Sequence, residues 1–176
     1  INHNGYDSDA ALDISGGSVG IKQLAISHHE RDSILLRSGY QGNLQDVFVH
    51  QNQHGDHRRV AVRVVSETAT QRITKPSVAN ALIVAGKNEP CLDCGGDSES
   101  FDFEPYAMSI EGGAGGFFHN MVVTVNPESQ TEIMGCFRID SSSQSLIGTG
   151  LIVNNFIQDC AKGGGSGYLA IDGEGN

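Results

Sequence analysis

The sequence predicts an all-β chain wound as a solenoid with two strands per turn. Three observations carry this. Glycine is abundant, 23 of 176 residues, while proline numbers 4, so the glycines mark turns within a fold and not a Pro/Gly-rich linker. Apolar runs are a few residues long and alternate with polar positions, the period of a half-buried strand. And one alternating segment recurs along the chain, which is the first thing to look for in a repeat architecture.

The recurring segment reads Leu12-Asp13-Ile14-Ser15, Ile34-Leu35-Leu36-Arg37, Val62-Arg63-Val64-Val65, Met108-Ser109-Ile110-Glu111, Phe137-Arg138-Ile139-Asp140 and Leu169-Ala170-Ile171-Asp172. Most copies run into Gly or Ser, as a turn requires. A second family of strands lies between them: Leu24 to Ser27, Val47 to His50, Leu82 to Ala85, Met121 to Thr124 and Leu151 to Asn154. The repeat from Ile14 through Leu36, Val64, Ile110 and Ile139 to Ile171 measures 22, 28, 46, 29 and 32 residues. A short minimum with longer copies elsewhere fits a solenoid whose loops grow at particular corners. Steady four-strand blades of about 40 residues, as in a propeller, do not fit.

Stacked at about 4.8 Å per rung, inward side chains form columns. The first sheet gives Leu12, Ile34, Val62, Met108, Phe137, Leu169, and beside it Ile14, Leu36, Val64, Ile110, Ile139, Ile171. The second sheet is expected to place Leu24, Val47, Leu82, Met121 and Leu151 inward. Its outward column is then Ala25, Phe48, Ile83, Val122 and Ile152, apolar throughout, a stripe that needs cover from loops or from another chain.

This rhythm resembles the right-handed parallel β-helix of the pectin-lyase-like superfamily, over roughly residues 11 to 172. Residues 1–10 are expected as a lead-in and 11–176 as five to six rungs, with a loop excursion at about 87–105. The resemblance implies work on polysaccharides, by hydrolysis, elimination or recognition. In character the chain is most similar to phage tailspike depolymerases, which implies a homotrimer at a virion surface or an extracellular site, acting on bacterial surface polysaccharide. The alternatives are a non-catalytic structural or adhesive β-helix of a virion or surface fibre, and a secreted polysaccharide lyase or hydrolase. The chain begins with Ile1, shows no basic-then-apolar leader and ends just after a strand, so it is expected to be part of a longer chain.

Candidate site residues come from the outward columns of the first sheet. One carries Glu111, Asp140 and Asp172 on successive rungs. Two carboxylates at about 5 Å, or about 6.5 to 9.5 Å across a water, are what glycoside hydrolysis needs. Crowding of like charges is expected to raise one pKa and provide a general acid. Arg37, Arg63 and Arg138 are placed to grip acidic sugars by bidentate pairing. The plain alternative is a polar face that solvates the solenoid.

Other features carry less. With 11 basic and 21 acidic residues the net charge is −10, which argues against nucleic acid as a partner. No apolar run is long enough to cross a membrane as a helix, and no membrane insertion is expected. The corner His50, His54, Asp56, His57, Arg58, Arg59 matches no zinc spacing. Cys91 and Cys94 form a lone CxxC, and Cys136 and Cys160 do not complete it as a zinc module. The acidic loop of Asp93, Asp97, Glu99, Asp102 and Glu104 could hold Ca²⁺, though without EF-hand spacing. Otherwise no cofactor is expected and no metal site is assigned. The glycine runs at 112–116 and 163–165 lack the Lys-Ser/Thr of a phosphate loop.

Overall fold

The computed structural model describes residues 10–29, 32–51, 60–67, 72–86, 106–125, 135–160 and 169–171. Strands β1 (Ala10–Ser15), β3 (Asp32–Arg37), β5 (Val62–Val65), β7 (Tyr106–Glu111), β9 (Gly135–Ile139) and β11 (Leu169–Ile171) form a six-stranded sheet in that order. Strands β2 (Ile21–His29), β4 (Asn43–Gln51), β6 (Ser77–Ala85), β8 (Gly116–Val125) and β10 (Leu151–Asp159) form a five-stranded sheet. Every pairing is parallel. Odd strands stack on odd and even on even, which makes a parallel β-helix, right-handed as crossovers between parallel strands are.

In the first sheet the register is the one the sequence implies. Leu12 pairs with Ile34, Ile34 with Val62, Val62 with Met108, Met108 with Phe137 and Phe137 with Leu169. The Ile14 to Ile171 column stacks likewise. Apart from the half-buried first rung, the described side chains of both columns are almost completely buried. Burial of such a side chain contributes about 1.5–3 kcal/mol, and repetition on every rung is what holds the coil. Phe137 bridges the sheets by packing against Phe118 and Phe156, at centroid distances of 6.0 and 5.5 Å.

The second sheet corrects the sequence reading. Val47 pairs with Ala81 rather than Leu82, and Met121 with Phe156 rather than Leu151. The cause is a row of left-handed residues at matching positions of the five strands, Gln23, Asp46, Asn80, Asn120 and Asn155, with φ of 60, 58, 56, 52 and 53°; β2 has a second one at His28, φ 58°. Each residue of the row breaks the two-residue alternation, so inward positions on either side of it are three apart, as for Leu44 and Val47, Val78 and Ala81, and Phe118 and Met121. Asn and Asp tolerate this conformation better than other residues with side chains. Their side chains also link: Asn80 donates to Asp46 at 3.0 Å, Asn120 to Asn80 at 3.2 Å, and Asn155 to Asn120 at 2.9 Å.

The corners leading out of the first sheet are built by glycine and by capping. Gly112 sits at φ +66°, where a Cβ would also strike the Ser66 carbonyl oxygen. In the fifth rung the turn is replaced by a four-residue helix, α1 (Ser141–Gln144), with Asp140 as its N-cap. At the opposite corner a disulfide joins Cys136, 24 residues before it, to Cys160, with the Cα atoms 5.3 Å apart. It ties the first strand of the fifth rung to the end of the second. The expected excursion at 87–105, with Cys91, Cys94 and the acidic loop, lies outside the described residues, as do His54 to Arg59.

Candidate functional site

The strands of the first sheet fix the outward columns by register. Arg63 lies between Leu35 and Ser109, Ser109 pairs on with Arg138, and Val65 pairs with Glu111. The three arginines are all engaged. Arg37 donates to Asp13 at 3.0 and 2.7 Å and approaches Glu67 at 3.5 Å, which raises its pKa, first through the hydrogen bond to Asp13. Arg63 donates to Glu111 Oε2 at 3.2 and 2.8 Å and faces Asp32 at 3.7 Å. Arg138 lies over the Tyr106 ring at 5.6 Å.

Arg63 therefore organises the face. It joins two carboxylates from different rungs, Asp32 at the start of β3 and Glu111 at the end of β7. The guanidinium lies between the two carboxylates and offsets the charge of both. Asp32 is further fixed by the Val60 N–H at 2.9 Å. Glu111 is held through Oε2. Its Oε1 is buried and, among the described residues, makes no hydrogen bond, nor does the neighbouring Ser109 hydroxyl, which is fully buried.

Asp140 sits beside this group in another role. Its carboxylate accepts from the Gly112 N–H at 2.7 Å, from the Ser142 hydroxyl at 2.8 and 2.7 Å, and from the Ser143 N–H at 2.8 Å. Burial alone would push its pKa up, but these donors outweigh it and hold the carboxyl below its usual value. The expectation that crowding would turn a carboxyl here into a general acid is thus reversed at Asp140, because the cap stabilises the charged form. Asp172 lies outside the described residues.

Sequence reasoning missed Asp32 and did not single out Ser109. Asp32 follows a polar run, His28 to Arg31, that reads as a turn, and only the rung register brings it to Arg63. Ser109 has no local signal; it is a small hydroxyl lying between Arg63 and Arg138 across the rungs.

The second sheet's outward column is corrected to Ala25, Phe48, Leu82, Val122 and Ile157. Ile83, expected outward, is fully buried, while Phe48, Leu82, Val122 and Ile157 are 40, 40, 37 and 65% exposed. The apolar stripe exists, one residue away from where alternation alone placed it at Leu82 and five away at Ile157. Among the described residues no three His, Cys, Asp or Glu side chains gather as a metal site, and no helix is long and apolar enough to cross a membrane.

Two parallel sheets coiled over one apolar core, with polar pairs running across rungs outside, define a parallel β-helix protein. More particularly, a family model described as a pectate-lyase-like β-helix domain matches residues 3–160, and the chain belongs to that family. Neither the curated proteins nor the solved structures contain a match to it.

Proposed function

We propose that the chain binds polysaccharide along the outer face of its first sheet and cleaves it, with Glu111 as the base. The observation that carries this is the state of Glu111: Arg63 fixes one carboxylate oxygen, and the other has acceptor capacity to spare. A base must be held in a fixed orientation, and the pair with Arg63 supplies that orientation. The family description, which names pectate lyase, supports a glycan substrate. In this reading Asp140 is an ionised neighbour on the next rung. Arg37 and Arg138 grip acidic sugar groups by exchanging partners, while Arg63 stays on Glu111 and adds its charge to the face. Arg37 is best suited, since its pair with Asp13 is 40% and 32% exposed and such pairs are weak.

The test is reducing-end release from polygalacturonate and from capsular and lipopolysaccharide preparations. Glu111→Gln is expected to lose at least about 100-fold in turnover while retaining binding. Equal turnover in the variant would overturn the assignment.

A second reading is favoured by the apolar stripe. A row of exposed side chains on successive rungs suits lateral association, as in a homotrimeric spike or fibre of tailspike type on a virion, with bacterial surface polysaccharide as its target. In that reading the chain is a structural or adhesive shaft and the carboxylates do no chemistry.

A further inference from the structure

Strand β2, at one end of the second sheet, departs from its neighbour at a single point. Ser27 pairs with His50 and His29 with Gln51, so the register slips by one and His28 is the extra residue between them. It lies in the left-handed region at φ 58°, which His enters more readily than most residues with side chains but still at a cost. A bulge of this kind re-aims one side chain. Here it leaves His28 exposed while His29 beside it is buried. The His28 ring meets His50 of the next rung, with the ring centroids 5.7 Å apart and the planes at 76°. His50 is half-buried, and its neighbour on the third rung is Val84, whose side chain offers no competing polar group.

The separation is that of two imidazoles on one ion. A Zn–N bond is about 2.0–2.1 Å and a ring nitrogen lies about 1.1 Å from its ring centre, so two rings sharing an ion have centroids about 5–6 Å apart. Neither backbone has to move. The last side-chain torsion of His is broad and roughly two-fold, so each ring can turn a nitrogen to the shared side. Packing alone gives no reason for the bulge, since an exposed imidazole against another ring buries little apolar surface. Imidazole suits Zn²⁺, Ni²⁺ and Cu²⁺, whereas Ca²⁺ and Mg²⁺ prefer oxygen. The net charge of −10 draws cations to the chain.

We propose that His28 and His50 form a two-imidazole site for a divalent transition-metal ion of the zinc, nickel and copper class, with water completing the coordination. The ion clasps β2 to β4 and so ties the first rung to the second. The site shares no residue with the polar face of the first sheet and does not depend on the cleavage reading.

The test is calorimetric titration of the whole chain with Ni²⁺ and Zn²⁺, and with Ca²⁺ for comparison. The chain holds seven histidines, so two single variants locate the ion. His28→Asn keeps a residue that tolerates the left-handed region, and His50→Gln keeps a polar side chain of similar length. Each is expected to weaken one equivalent of Ni²⁺ binding by at least the roughly tenfold that loss of even an outer-sphere partner costs. Ni²⁺ should raise the melting temperature of the wild type, as a ligand of the folded state does, and both variants should lose that rise. Melts without metal check that the variants are folded. Ni²⁺ binding unchanged in both variants would place the ion elsewhere and overturn the site. Absence of Ni²⁺ and Zn²⁺ binding by the wild type, or equal binding of Ca²⁺, would overturn it as well. Binding with no rise in melting temperature would overturn the clasp.

Discussion

Asn120 donates its side-chain amide to Asn80 at 3.2 Å across one rung, and both residues lie in the left-handed region, at φ 52 and 56°. The geometry separates two contributions to stability. Asn120→Val loses the bonds to Asn80 and from Asn155 and forces a β-branched side chain into a conformation costing about 1–2 kcal/mol. Asn120→Gly loses the same bonds without the strain. Urea denaturation is expected to place the valine variant about 1–2 kcal/mol below the glycine variant. Equal stabilities would mean that the bend is held by its surroundings and not by residue type.

The same row of residues explains what was legible beforehand. In the first sheet a strict two-residue alternation runs through each strand, so the columns from Leu12 and Ile14 follow from the sequence residue by residue. In the second sheet Asn80 adds one residue to the inward spacing, and nothing in Ala79-Asn80-Ala81-Leu82 distinguishes a bend from a plain strand. Reading Leu82 inward follows from alternation, and the error exchanges Leu82 and Ile83 between core and surface. In β10 the sequence offers Leu151-Ile152-Val153 as the obvious strand, but that is the segment before the bend, and Phe156 is the residue that stacks on Met121. The site shows the same limit. Glu111 and Arg63 could be placed on the outer face from parity, whereas their pairing and the part of Asp32 depend on side chains reaching across rungs.

Asp140 holds a corner through its charge. Its donors lower the pKa, so its contribution to stability is present above the unfolded-state pKa, near 4, and is lost as the pH falls through the lower folded value. Asp140→Ala is expected to cost about 0.5–2 kcal/mol at pH 7, as loss of an N-cap does. The difference between wild type and variant should shrink as the pH drops below about 4. Thermal melts of both proteins across pH 2–7 check this, and a constant difference would show that the carboxylate's charge is not what matters.

Cys136 and Cys160 enclose a loop of one coil, and both sulfurs are buried beneath the corner, with the Cys136 Sγ 3.4 Å from the Val123 carbonyl oxygen. Loop-closure entropy for a crosslink of this span gives about 3.5 kcal/mol of stabilisation. The double variant Cys136→Ala/Cys160→Ala is expected to lower the denaturation midpoint accordingly, and added reductant to bring the wild type toward it. Hydrogen exchange should show the loss concentrated in β9 and β10, the two strands the bridge ties, with β3 and β4 unaffected. A uniform loss across all rungs would instead mean that the coil unfolds as a single unit.

Phe48, Leu82, Val122 and Ile157 form the exposed stripe, with Ala25 at its first rung. At a net charge of −10 two copies of this chain repel at long range, yet these five positions carry no charge of their own, so the stripe offers the least opposed approach. If it is the assembly face, one lysine at its centre should suffice to break contact, because every rung meets its counterpart at the same spacing. Val122→Lys is expected to convert a self-associated species into the monomer in light scattering, with the fold retained, since Val122 points to solvent in the isolated chain. Raising salt should favour association of the wild type by screening the net charge. A wild type that stays monomeric at high concentration and high salt would remove the stripe's role in assembly, and with it the main structural argument for a spike.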